Sequence, residues 1–455
     1  MAVSAKKRIW GWWFFDWASQ PYNTLCLTFV FGPYFAEVAR AHFTGQGLDA
    51  EAAGAVAQAY WGWGQTVSGV IIAVLAPILG AIADGSGKRM VWIWIFSAFY
   101  VVGSWMLWTL MPGEPDLLRA MIWFGIGLIG MEFATIFTNS LMPALTGDAD
   151  MGKVSGSGFA FGYVGGIVAL VIMLLFFNES SATGKTLIGL DPLFGLDAAT
   201  REGTRAVGPL TAVWYIIFMI PFFAWVREPK GPALRFSFGA AMVDLWRLLK
   251  SLKARQSLAA HLVSSMFYRD ALNALYGFGG VYASGVLGWS VTKIGVFGIV
   301  GAISGALFAW LGGKMDSARG PKPVIRIAMF VLIAVCLVIA GMSRDAFYGA
   351  PFAAGSAMPD YVFYACGILI GAAGGSIQAA SRTMMVFHTT QERATESFGL
   401  YALSGKATAF IAPFSIALVT TISGSQRIGI SIPLIALFLI GMIILRWVKP
   451  YGERS

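Results

Sequence analysis

Runs of about twenty apolar residues recur along this chain, separated by short segments that hold nearly all of its charge. In a bilayer core a peptide group has no water to turn to, so such runs cross as helices whose backbone bonds close within the segment. Twelve are legible, at 12–38, 58–82, 90–111, 119–142, 154–177, 206–226, 260–285, 291–311, 323–342, 360–384, 396–422 and 427–447. Composition agrees: of 455 residues, 57% are hydrophobic and 12% charged, a balance unlike that of a soluble domain. The expected fold class is an all-α polytopic membrane protein.

The first run follows Lys6, Lys7 and Arg8 but is too long for a signal peptide and lacks a small-residue cleavage site, so it is expected to be retained. Twelve crossings put both termini on one face. With residues near a run end counted in the adjoining connection, 22 of the 32 Lys and Arg fall in the termini and even-numbered connections, 8 on the opposite face and 2, Arg269 and Lys406, well inside runs. The positive-inside bias makes the first face cytoplasmic and the cytoplasmic (inner) membrane the expected location. The net charge of +9 then reflects orientation, and no nucleic-acid partner is expected.

Other chemistries find little footing. Cys26, Cys336 and Cys366 all lie in apolar runs, which leaves no disulfide framework or CxxC site. His42, His261 and His388 sit on separate segments without metal-ligand spacing. Gly184-Lys185-Thr186 lacks the first glycine of a phosphate loop, Glu179 standing there instead. The stretch GIGLIG at 125–130 matches a dinucleotide pattern literally but has no strand before it, and its context favours close helix packing. Neither an enzyme, a cofactor nor a metal is expected.

The runs divide into halves of six, residues 1–226 and 259–455. Between them, 227–258 carries Pro229 and Pro232, then a stretch in which Met242, Leu245, Trp246, Leu249 and Leu252 share one helical face and Arg247, Lys250, Lys253 and Arg255 the other. That is a basic amphipathic helix suited to a membrane surface, either as a plain linker or as a regulatory element. A repeat supports the division. GAIADGSGKR (80–89) follows the second run and GGKMDSARGPK (312–322) the eighth, each with an aspartate four residues past a glycine, then a glycine and cations. Short loops of this kind suit a hinge, with Gly80, Asp84, Gly87, Lys88, Arg89, Gly312 and Asp316 as gating candidates.

The first of these stretches resembles the loop motif of the major facilitator superfamily; the second spaces its last glycine one residue further. Three more stretches, at 138–166, 267–283 and 374–414, resemble the bacterial branch of the vacuole-effluxer, or autophagy-related, transporter family. The likeness covers most of the chain and is least clear at 178–205 and in the last run. It implies two six-helix bundles in which the first, fourth, seventh and tenth helices surround a central cavity.

The charges inside the runs test that implication. Those lying well inside are Asp16, Glu132, Arg269, Asp270 and Lys406, and all but Lys406 fall on the first, fourth or seventh helix. An intramembrane charge is expensive and generally faces protein or water. Trp13, Asp16, Gln20 and Asn23 recur at three, four and three residues and draw one polar face along the first helix. Glu132, Thr135 and Asn139 do so on the fourth, Asp270 and Asn273 on the seventh, and Gln378 and Arg382 on the tenth. The alternative is helix-to-helix hydrogen bonding between packed runs. Asp16 lies about one turn inside the first run and either joins this face or snorkels to the interface. Arg269 and Asp270 diverge by about 100° and need separate partners, for which Lys406 is available.

Gly158, Gly162 and Gly166 recur every four residues and suggest close approach across the interface between the halves. They loosely resemble an antiporter motif, but Tyr163 replaces its proline and the last glycine pair comes one residue early, so antiport does not follow.

These readings converge on a monomeric secondary transporter working by alternating access on a small organic solute held near the bilayer midplane. Coupling to protons would use Glu132 and Asp270, since a mid-membrane carboxylate suits reversible protonation. Trp12, Trp13, Trp17, Tyr22, Tyr163 and Tyr276 offer stacking surfaces for a flat ring, although tryptophans also anchor helices at the interface. The resemblance to bacterial members points to uptake of a heteroaromatic vitamin such as riboflavin, and the eukaryotic relatives to amino-acid or metabolite export. A receptor or assembly protein that kept the fold without transport is the rival class.

Overall fold

A computed structural model describes residues 4–86, 89–141, 145, 151–228, 250, 252–388, 401, 404, 405, 407–450 and 452. The helices, numbered in chain order, are α1 Ala5–Pro21, α2 Phe31–Gly45, α3 Ala50–Ser86, α4 Arg89–Met106, α5 Leu117–Ser140, α6 Met151–Ile172, α7 Glu202–Arg205 and α8 Val207–Trp225. They continue as α9 Gln256–Leu287, α10 Val291–Arg319, α11 Pro321–Gly341, α12 Met358–Phe387, α13 Ile411–Ser423 and α14 Gln426–Leu445. A two-stranded antiparallel hairpin, β1 Ala346–Phe347 with β2 Ala350–Pro351, links α11 to α12. Among the described residues, eight helical segments are long and apolar enough to cross a membrane. Many of their outward side chains are large and apolar, including Trp94, Leu118, Ile220 and Ile303, as a lipid-facing surface requires.

Local sequence sets the helix ends. The Asp116 carboxylate accepts the Arg119 N–H at 2.9 Å to start α5, and the Ser290 hydroxyl accepts the Lys293 N–H at 3.3 Å to start α10. Gly288 and Gly424 close α9 and α13 at φ 66° and 65°, a left-handed cap that suits glycine. Pro21 ends α1, and Tyr22–Phe29 continue as a widened π-helical stretch. The first apolar run is therefore three helical pieces.

The chain forms two compact units. The first comprises residues 1–35 and 67–246, and the second 36–66 and 247–455. In the first, α4 and α5 meet through Gly103 and Gly127, and Gly130 lies against the Tyr100 backbone. The packing expected for GIGLIG is thus observed. In the second, α10 and α12 meet through Gly305, Gly371 and Gly375.

Two expectations are corrected. Most of each repeated stretch is helix, not loop: Gly80–Ser86 continue α3, and Gly312–Arg319 continue α10 until Gly320, at φ 80°, turns the chain into Pro321. The close approach expected of the α6 glycines is found inside the first unit. Gly158, Gly162 and Gly166 lie against Trp12, Trp13, Asp16, Gln20 and Thr24 in the same unit, where their missing side chains let α1 approach α6. Most of the amphipathic linker helix falls outside the described residues.

Candidate functional site

In the first unit the polar residues of α1 and the π-helical stretch share a face. Trp13, Asp16, Gln20 and Asn23 are each half-buried, whereas Phe15, Ala18 and Tyr22, which point elsewhere, are buried. Trp13 Nε1 donates to the Val154 carbonyl of α6 at 2.9 Å, and the Asp16 side chain rests over Gly158. Asn23 Nδ2 approaches Met131 Sδ of α5 at 3.9 Å, which joins this face to α5. There Glu132 and Thr135 are half-buried and Asn139 is exposed. Tyr163 is half-buried on α6, edge-on to Phe159 at 4.8 Å.

The remaining aromatics of α1 are anchors. Trp12 is buried and donates to the Thr138 carbonyl at 3.0 Å, and Tyr22 is buried with its hydroxyl on the Phe124 carbonyl at 2.6 Å. Trp17 stacks on Trp214, whose indole N–H returns to the Trp17 carbonyl at 3.1 Å. These three rings are occupied by neighbouring helices.

In the second unit the carboxylate of Asp270 is buried, and its Oδ2 accepts the Ala412 N–H at 2.8 Å in the first turn of α13. Arg269 takes a different partner, as the angle between the two positions requires. Its Nη1 donates to the Tyr401 carbonyl at 3.1 Å, and its guanidinium lies 4.1 Å from the Tyr401 ring centroid. Asn273 is exposed, while Gln378 and Arg382 of α12 are half-buried. Tyr276, also half-buried, sets its hydroxyl against Gly374 of α12. Lys406 lies outside the described residues.

Of the gating candidates, Gly87 and Lys88 and the side chains of Gly80 and Asp84 also lie outside them. Gly312 lies against Ser376, whose hydroxyl donates to the Phe308 carbonyl at 2.9 Å. Asp316 is buried beside Thr383. Arg89 starts α4. Its N–H donates to Glu228 Oε1 at 2.7 Å, and the Met90 N–H reaches Oε2 at 3.3 Å. Glu228 was not singled out by the sequence, and the only signal for it was a lone carboxylate just past the end of α8. Likewise, Glu179, noted only as breaking a phosphate-loop match, is buried and bonded to Arg201 Nε at 2.8 Å.

This architecture has known counterparts. The fold is similar to that of the xylose transporter XylE from E. coli in a partially occluded inward-open conformation, with a TM-score of 0.64, 11% identity, and 99% of this chain and 98% of that one covered. A point mutant of the nucleoside transporter NupG is similar at a TM-score of 0.60 and 13% identity, over 96% of this chain and 100% of that one. Among curated relatives, an uncharacterised MFS-type transporter, YxiO of Bacillus subtilis (strain 168), is 25% identical over 442 residues, 96% of this chain and 94% of that protein. Autophagy-related protein 22-1 of Aspergillus clavatus is 23% identical over 294 residues, 61% of this chain but only 46% of its own length.

The fold and these relatives define a multi-pass membrane protein of the major facilitator class, a transporter rather than an enzyme. Within that class the chain belongs to the vacuole effluxer Atg22-like family, whose model matches residues 4–451.

Proposed function

We propose that this protein carries a small organic solute across the cytoplasmic membrane by alternating access, through twelve crossings with both termini in the cytoplasm. The observation that carries the reading is the half-buried row Trp13, Asp16, Gln20 and Asn23 beside Glu132, Thr135 and Asn139. Two carboxylates and several amides on adjoining membrane helices are costly unless they meet water or a polar ligand. Trp13 within the row, and Tyr163 on α6, add ring surface. That combination favours a flat solute with a polar rim, a heteroaromatic vitamin such as riboflavin, over an aliphatic amino acid.

Glu132 is the proposed proton carrier, being a carboxylate on α5 that is neither sealed in the core nor fully exposed. Asp270 is better read as a helix anchor, since its carboxylate meets the start of α13. A thermal-shift screen of the purified protein against vitamins and amino acids, followed by uptake of the best hit into proteoliposomes, tests the proposal. Glu132→Gln should abolish the pH dependence of uptake; unchanged flux and pH profile would remove the proton role, and absence of flux with every candidate would favour the receptor class.

A further inference from the structure

Residues 36–66, the end of α2 and the first half of α3, pack in the second unit, although α3 itself runs on to Ser86 in the first. A polar cluster holds them there. Gln58 is fully buried; its Nε2 donates to Thr420 Oγ1 at 2.8 Å and to the Gln426 carbonyl at 3.1 Å, and its Oε1 accepts from Gln426 Nε2 at 3.3 Å. The Gln426 amide occupies a notch between Gly54 and Gly285, where a Cβ on either glycine would run into it. Arg40 Nη1 donates to the carbonyls of Ser284 and Gly285 at 3.3 and 2.9 Å, in the last turn of α9. At the edge, Arg427 and Glu51 approach to 3.7 Å.

Two properties set this cluster apart from ordinary helix packing. Its bonds join positions 244 to 368 residues apart, so local folding does not require them. Its buried core is neutral amide and hydroxyl, with one cation on helix-end carbonyls. Parting a buried ion pair strands two charges, but neutral amides exchange their partners for water at little net cost. Amide bonds of this kind suit a contact that must re-form repeatedly.

We propose that Gln58 and Gln426 are the latch of a gate on the membrane face opposite the chain termini, closed in this structure, with Arg40 as a second hold on the end of α9. The proposal rests on the transporter reading, since alternating access demands that residues 36–66 let go of α9, α13 and α14 once per cycle.

The test reads opening, not flux. Ser284→Cys places a thiol at a buried position beside the latch, and the three native cysteines are also buried. Labelling of the purified full-length protein by a water-soluble maleimide, corrected for the same protein without the reporter, measures how often this region opens. Gln58→Leu and Gln426→Leu should each raise the Ser284→Cys labelling rate about tenfold, the scale of one or two lost hydrogen bonds. Should either leucine variant fail to fold, Arg40→Gln should accelerate labelling in the same direction. Rates unchanged in the variants that fold overturn the latch. Faster labelling in a protein that moves no solute leaves the latch standing and overturns the transport reading instead.

Discussion

Gly103 and Gly127 bring α4 and α5 into backbone contact: a methyl group on Gly103 would stand inside the Gly127 main chain. Backbone cannot yield as a flexible side chain can, so Gly103→Ala should lower stability by about 1–3 kcal/mol through overpacking. Gly279 of α9 offers the control, because a Cβ there meets nothing within 4 Å. Gly279→Ala should be neutral or stabilising by about 0.5–1 kcal/mol. Thermal unfolding of both variants in detergent checks the contrast, and equal melting temperatures would refute it.

Asp270 is the second case in which packing decides. Its Oδ2 meets the Ala412 N–H where α13 begins, an orphan donor that helix geometry leaves unsatisfied. Asp270→Ala should therefore cost about 1–3 kcal/mol, the loss expected when a buried donor is left unsatisfied, and Asp270→Asn, which keeps an acceptor, visibly less. Neither change should alter the pH profile of transport if Asp270 is an anchor. A flattened profile in the Asn variant would return it to the coupling machinery.

These residues show what the sequence exposes and what it hides. Eight of the apolar runs have described helices that lie close to them, among them Arg89–Met106 and Gln426–Leu445, because the bilayer imposes length and satisfaction on each segment independently. The face of Trp13, Asp16, Gln20 and Asn23 followed from helical spacing alone. What spacing cannot supply is the neighbour on each side. Gly158 and Gly162 announced a close contact, yet only the fold shows that contact to be with α1. Gln58 and Gln426 are 368 residues apart, and no local pattern ties one to the other. The helical continuation through Gly312–Arg319 was hidden for another reason: its glycines and charges imitate a loop, and packing of α10 on α12 overrides them.

Glu228 makes a prediction for the first repeated stretch. Its two carboxylate oxygens accept the Arg89 and Met90 N–H groups, placing negative charge at the N-terminal end of α4. Glu228→Ala should cost about 0.5–2 kcal/mol, the usual loss for a helix cap. The damage should be local: hydrogen exchange should accelerate at residues 89–92 and stay unchanged in α9 to α12. Uniform acceleration across the protein would show that Glu228 supports more than this helix end.

The buried pair Glu179 and Arg201 yields a prediction that depends on pH. Glu179 Oε1 accepts from Arg201 Nε at 2.8 Å and from the Thr204 hydroxyl at 2.6 Å, and Oε2 accepts the Thr204 N–H at 3.0 Å. Arg201 is held at φ 59°, a left-handed conformation uncommon outside glycine, so the loop pays a backbone cost to bring the guanidinium here. Burial pushes the Glu179 carboxyl above its ordinary value, against the Thr204 hydroxyl and the Arg201 charge, which pull it down. Arg201→Met removes the cation and leaves the carboxylate buried, so the variant should lose about 3–5 kcal/mol at pH 8. The sign follows from proton uptake. A carboxyl raised in the folded state holds its proton where the unfolded chain has lost it, so its contribution is intact in acid and fades as pH rises through the raised value. The Arg201→Met deficit should therefore shrink between pH 8 and pH 5, and adding Glu179→Gln should remove its pH dependence and recover most of the loss. Melting temperatures of the single and double variants across that range measure both, and a deficit that stays constant from pH 8 to pH 5 would show that the charge on Glu179 does not set it.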